Sequence, residues 1–73
     1  MIPVACSIGT RIRHLRIRQH FTQRQLADRL GVTSQAVSKW ENDVACPDIM
    51  LLYKLAQILK VSLDDFLSPD WRV

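Results

Sequence analysis

The sequence predicts an all-α fold, a compact bundle of five short helices. Three observations carry this reading. Apolar residues recur at three- and four-residue spacing rather than in alternation. A Ser, Thr or Asp stands just before most of the apolar stripes, where a helix start needs an acceptor for its free N–H groups. With 2 Gly and 3 Pro in 73 residues, there is little material for tight β-turns or for disorder.

The elements follow in order. Ser7 is placed to cap a first helix from about Ile8 to Gln19, whose stripe is Ile8, Ile12, Leu15 and Gln19. Arg11, His14 and Arg18 are expected on its outer face. Phe21 anchors the chain before the next start. Thr22 and Gln25 have capping-box spacing, and a second helix runs to about Leu30 with Leu26, Ala27 and Leu30 inward. Gly31 supplies a left-handed residue that ends it. Val32 plugs the turn, Thr33 caps a third helix, and Val37 and Trp40 form its inner face. Asn42 to Cys46 is a loop. Pro47 and Asp48 open a fourth helix to about Lys60, with Ile49, Leu52, Leu55, Ala56 and Leu59 inward. Ser62 caps a fifth, LDDFL, whose Asp64 and Asp65 suit a positive helix start.

Seventy-three residues make one domain with a small core. The expected division is a tail over 1–7, a domain over 8–67 and a tail over 68–73. No run of about 18 apolar residues appears, so no membrane span is expected. MIPVACS lacks the basic start and long apolar stretch of a secretion signal. Cys6 and Cys46 are expected to be free thiols in a reducing cytoplasm. They and His14 and His20 contain no close ligand pair, so no zinc or other cofactor is expected. No paired carboxylates or thiol–His pair share a face, and no nucleophile or acid accompanies either histidine, so an enzyme is not expected.

Charge is segregated. Met1 to Trp40 holds Arg11, Arg13, Arg16, Arg18, Arg24, Arg29 and Lys39 against the single acid Asp28, a balance of +6. Glu41 to Val73 holds Lys54, Lys60 and Arg72 against six acids, a balance of −3. A basic half suits a polyanion, whereas an acidic half stays in solvent or meets protein. Within the basic half, Ala27, Gly31, Val32 and Val37 permit a close crossing of helices two and three. Helix three then projects Ser34, Gln35, Ser38 and Lys39. Gln can bond the N6/N7 edge of adenine, Lys favours the O6/N7 edge of guanine, and Ser reaches either kind of base. Gln23, at the start of helix two, is placed to clasp a phosphate, and Thr22 lies beside it. Arg11 and Arg18 are further candidates for phosphate.

The order of residues resembles the lambda-repressor-like, XRE-type helix-turn-helix domain of phage repressors and small bacterial regulators. The matching parts are Ile8-Gly9, Ile12, Leu15-Arg16, Thr22-Gln23, Leu26-Ala27 and Leu30-Gly31-Val32-Thr33. They continue with Ser34-Gln35, Val37-Ser38-Lys39-Trp40-Glu41, Pro47, Leu52, Leu55-Ala56 and Leu59. The resemblance implies a phosphate contact at Gln23, base contacts at Ser34, Gln35 and Lys39, and a backbone-proximal Asn42. It also implies an inner ion pair between Arg16 and Glu41. His20 and Asp43 stand where the family usually has Gly. Both tolerate the left-handed geometry, His at a cost of about 1–2 kcal/mol. Asp43→Ala is expected to matter little to stability.

The expected function is a sequence-specific regulator of transcription, most simply a repressor, bound to double-stranded DNA. An antitoxin that also binds a toxin protein, or a protein-interaction module on the same fold, are the alternatives. Leu51, Leu55 and Ile58 form a second apolar stripe on helix four. Leu51, Ile58 and Trp71 are therefore expected in a two-fold homodimer. Its recognition helices would sit about 34 Å apart on a near-palindromic operator.

Overall fold

The structure is a computed structural model, and it describes residues 8–67. Among these, four helices build the bundle: α1 (Gly9–Arg18), α2 (Gln23–Leu30), α3 (Ser34–Glu41) and α4 (Ile49–Ile58). This corrects the expected five-helix bundle. The LDDFL segment is helical over Leu63–Leu67 only, five residues, little more than one turn. It serves as a plug, sending the fully buried Phe66 into the core.

The starts follow the capping logic. Thr22 Oγ1 accepts the Gln25 N–H at 3.0 Å while Gln25 Oε1 accepts the Thr22 N–H at 2.9 Å, a closed capping box. Thr33 Oγ1 accepts from Ala36 N at 3.2 Å, and Asp48 Oδ1 from Leu51 N at 2.9 Å. Helix α1 is different. Its N-cap residue is Ile8, which has no side-chain acceptor to offer, and Ser7 lies outside the described residues. The acceptor for the Gly9 N–H comes instead from 34 residues away, at Asp43 Oδ1, 3.1 Å.

The four ends share one geometry. A left-handed residue follows the last turn, and the next N–H reaches back five residues to a carbonyl. The pairs are Phe21 to Arg16 (3.0 Å), Val32 to Ala27 (3.0 Å), Val44 to Lys39 (2.9 Å) and Val61 to Ala56 (3.0 Å). Only α2 uses Gly, with Gly31 at φ 75°; the others use His20 (63°), Asp43 (58°) and Lys60 (62°).

The core comprises Ile8, Ile12 and Leu15 of the first helical stripe, Leu26, Ala27 and Leu30 of α2, Val37 and Trp40 of α3, and Leu55, Ala56, Leu59 and Phe66. Two expectations for helix four are corrected. Ile49, expected inward, is 65% exposed. Leu51, expected outward, packs partly buried against the core together with Leu52 and Ile58. The buried ridge extends from Leu55 to Leu51, one turn back at i−4, and the first residues of α4 overhang the core. The cysteine expectation is also corrected. Cys46 is disulfide-bonded, whereas Cys6 lies outside the described residues. No helix among the described residues is long and apolar enough to cross a membrane.

Candidate nucleic-acid interface

Helix α3 has one buried face and one wet face. Val37 and Trp40 are buried against α1 and α2, which turns Gln35 and Lys39 into solvent and leaves Ser34 and Ser38 half-buried beside them. Gln35 and Lys39 are four residues apart, as are Ser34 and Ser38, so the four side chains form one polar strip. The strip is lightly restrained at its start. There Ser34 Oγ lies 3.5 Å from Gln35 Oε1, at the outer limit of a hydrogen bond, so the Gln35 amide is available to an outside partner.

The far end of α3 is held by charge. Arg16 Nε donates to Glu41 Oε2 at 2.6 Å and its Nη2 to Glu41 Oε1 at 3.2 Å, a bidentate pair. Its remaining nitrogen, Nη1, donates to the Phe21 carbonyl at 2.8 Å. The two side chains are 12% and 3% exposed, so each charge depends on the other for its solvation. Gln23 joins this pair: its Nε2 donates to Glu41 Oε1 at 3.1 Å. A carboxylate can only accept, so the amide nitrogen faces inward and Oε1 faces away. One Nε2 hydrogen is thus engaged with Glu41. The start of α2 and the end of α3 are locked through one buried carboxylate, a coupling that spacing alone could not reveal.

The remaining candidates divide. Thr22 and Arg18 are exposed. Thr22 is occupied through Oγ1 as the cap of α2. Asn42 ends α3 with its amide nitrogen 2.9 Å from the Ser38 carbonyl and 3.4 Å from Ser38 Oγ. The amide nitrogen therefore points back along the helix to Ser38, and an Asn42–phosphate bond made through the hydrogen it uses there would require that arrangement to open. Arg11 does not reach the outer face at all. It is 8% exposed and Nη1 donates to the Phe66 carbonyl at 2.5 Å, tying α1 to the last helical turn. The signal was in the spacing: Ile8, Arg11 and Leu15 lie at i, i+3 and i+7, on the edge of the buried stripe. Among the dimer candidates, Leu51 and Ile58 are half-buried and Trp71 lies outside the described residues. Among the described residues no cluster of three or more His, Cys, Asp or Glu is placed to hold a metal.

Two helices closely packed around a capped, glycine-ended turn, the second offering a polar face, define a helix-turn-helix protein. The comparisons agree. The helix-turn-helix family model matches residues 12–66, and the chain belongs to that family in its lambda-repressor-like, XRE-type form. It is 41% identical over 60 residues to the SPbeta prophage-derived HTH-type transcriptional regulator YonR of Bacillus subtilis, covering 82% of this chain and 56% of the relative. It is 33% identical over 64 residues to the HTH-type transcriptional regulator ImmR of the same organism, covering 88% and 50%. The chain thus spans about half the length of these curated relatives. Among solved structures, it is similar to the P22 c2 repressor in complex with a synthetic operator. There the TM-score is 0.79 at 33% identity, covering 86% of this chain and 96% of that one. It is also similar to SinR, a master regulator for biofilm formation, in complex with DNA. That match has a TM-score of 0.77 at 31% identity and covers 84% and 98%.

Proposed function

We propose that this chain is a sequence-specific, double-stranded DNA-binding regulator of transcription, acting in the cytoplasm as a repressor. The observation that carries the reading is the polar strip on α3, exposed at its reading end and anchored at the other by the buried Arg16–Glu41–Gln23 network. Both similar solved structures are DNA complexes, and the curated relatives are named as transcriptional regulators. In our reading Ser34, Gln35, Ser38 and Lys39 meet base edges in the major groove. Gln23, Thr22 and Arg18 face phosphates, with backbone N–H groups of the first turn of α2 beside them. Arg11 is not assigned to phosphate.

We further propose a homodimer on a near-palindromic operator. Its interface is shifted from the residues expected on spacing alone. Among the described residues the large exposed apolar groups are Ile17 (54%), Val44 (71%), Ile49 (65%), Met50 (64%) and Tyr53 (54%). The last three share one face of α4 by their i, i+1, i+4 spacing, and such a patch suits a second copy.

Selection of bound sequences from a random duplex pool tests the reading. A recovered consensus with two inverted half-sites is the expected result. Recovery of no consensus would defeat the function, and a single asymmetric half-site would defeat the dimer.

A further inference from the structure

The end of α3 carries a contact that the proposed function leaves unused. Asp43 follows the recognition helix at φ 58°, a left-handed conformation that carries a steric cost for a non-glycine residue. Its backbone closes the helix, with Asp43 N donating to the Trp40 carbonyl at 3.1 Å and Val44 N to the Lys39 carbonyl at 2.9 Å. Its side chain does something else. Oδ1 accepts the first N–H of α1, at Gly9, which no local side chain caps. Gly9 is buried here because nothing larger fits. A Cβ on it would fall 2.7 Å from the Glu41 carbonyl oxygen and 2.7 Å from Asp43 Oδ1, and would collide with the Trp40 carbonyl. The positive end of α1 is therefore pressed onto the carbonyl end of α3, and Asp43 is the polar clasp between them.

We propose that Asp43 is a positioning residue for base readout. By holding α1 to the last turn of α3, it fixes the tilt and depth at which Gln35 and Lys39 are presented. The inference rests on the DNA-reading function proposed above. Gln35 lies about 10 Å up the helix axis from Asn42, at 1.5 Å rise per residue. A small rocking of the clasped end thus displaces the reading end by an amount that matters to a bidentate bond. The recognition helix is only eight residues long, so it has no second layer of contacts to absorb the motion.

The test measures the ratio of affinities for the selected operator and for random duplex in three proteins. Asp43→Gly keeps the left-handed turn without strain and removes only the clasp. Asp43→Asn keeps both the turn and an acceptor for Gly9. The expected result is a fall of about tenfold in the ratio for Asp43→Gly, the scale of one lost base contact, at an unchanged melting temperature. The ratio for Asp43→Asn should stay within about twofold of the parent. An unchanged ratio in Asp43→Gly would overturn the proposal. So would equal losses in both variants, or a loss that merely follows the melting temperature. If the parent protein itself shows no preference for any duplex over random DNA, the function fails first and this inference falls with it.

Discussion

The two ends of α3 are built on opposite principles. Its start is capped by one threonine, and its outward side chains, Gln35 and Lys39, are exposed. Its end is gripped from three directions: Trp40 buried in the core, Glu41 in a nearly dry pair with Arg16 and bonded to Gln23, and Asp43 clasping Gly9. A reading element needs side chains free to meet a base and a backbone that does not move when they do. This helix separates the two requirements along its length. Changes at the far end should therefore act through stability or through the way the helix is held, and changes at the near end directly through base contacts.

The largest break in this pattern is expected from Glu41→Ala. It leaves the Arg16 guanidinium nearly buried without its carboxylate and removes the acceptor of Gln23. Losing one partner of such a pair costs about 3–5 kcal/mol, readable as the midpoint shift in chemical denaturation. A loss below about 1 kcal/mol, the scale of a surface pair, would mean that the Arg16–Glu41 pair is solvated after all.

Arg11 and Arg18 sharpen the comparison because both are expected on the outer face of α1 yet only Arg18 is exposed. Arg11→Ala removes a buried bond to the Phe66 carbonyl and should cost about 1–3 kcal/mol of stability without changing the salt dependence of DNA binding. Arg18→Ala should do the reverse. Its stability stays within about 0.5 kcal/mol, while the slope of log affinity against log salt flattens by about one. Parallel denaturation and salt titrations of the two variants would separate the roles; a flattened slope for Arg11→Ala would contradict the structure.

A smaller effect of opposite sign is expected where left-handed residues lack a partner role. His20 and Lys60 end α1 and α4 at φ 63° and 62°. His20→Gly and Lys60→Gly should each raise stability by up to about 1 kcal/mol, the steric cost relieved less the entropy that glycine brings. Asp43→Gly should leave the melting temperature unchanged, because the strain relieved is offset by the lost clasp on Gly9. Thermal melts of the three variants, ranked against the parent, check the order.

Much of this was legible in the sequence wherever a rule is local. The capping box of Thr22 and Gln25, the caps at Thr33 and Asp48, and the left-handed Gly31 depend on residues within four positions of one another. The inward faces of α2 and α3 follow from simple periodicity. What the sequence hides mostly involves partners distant along the chain. Arg11 is expected on the outer face of α1, but the Phe66 carbonyl, 55 residues away, offers it a buried partner. Asp43 stands in the sequence only as a residue that tolerates left-handed geometry, and its bond to Gly9, 34 residues away, is invisible there. Ile49 fits the inward spacing of α4, yet the core ends one turn too soon to cover it. The Gln23–Glu41 bond exists only once α2 and α3 are packed together.

The central claim, that the exposed start of α3 reads bases while its clamped end holds it steady, is tested most directly at Gln35. Gln35→Ala should leave the denaturation midpoint unchanged and should cost about 1–3 kcal/mol on the selected operator. Binding to random duplex should be almost unaffected, and preference should flatten at one or two adjacent base pairs. Equal losses on the operator and on random duplex would contradict the account, because Gln35 would then be one more backbone contact and the polar strip of α3 would not be the reading surface.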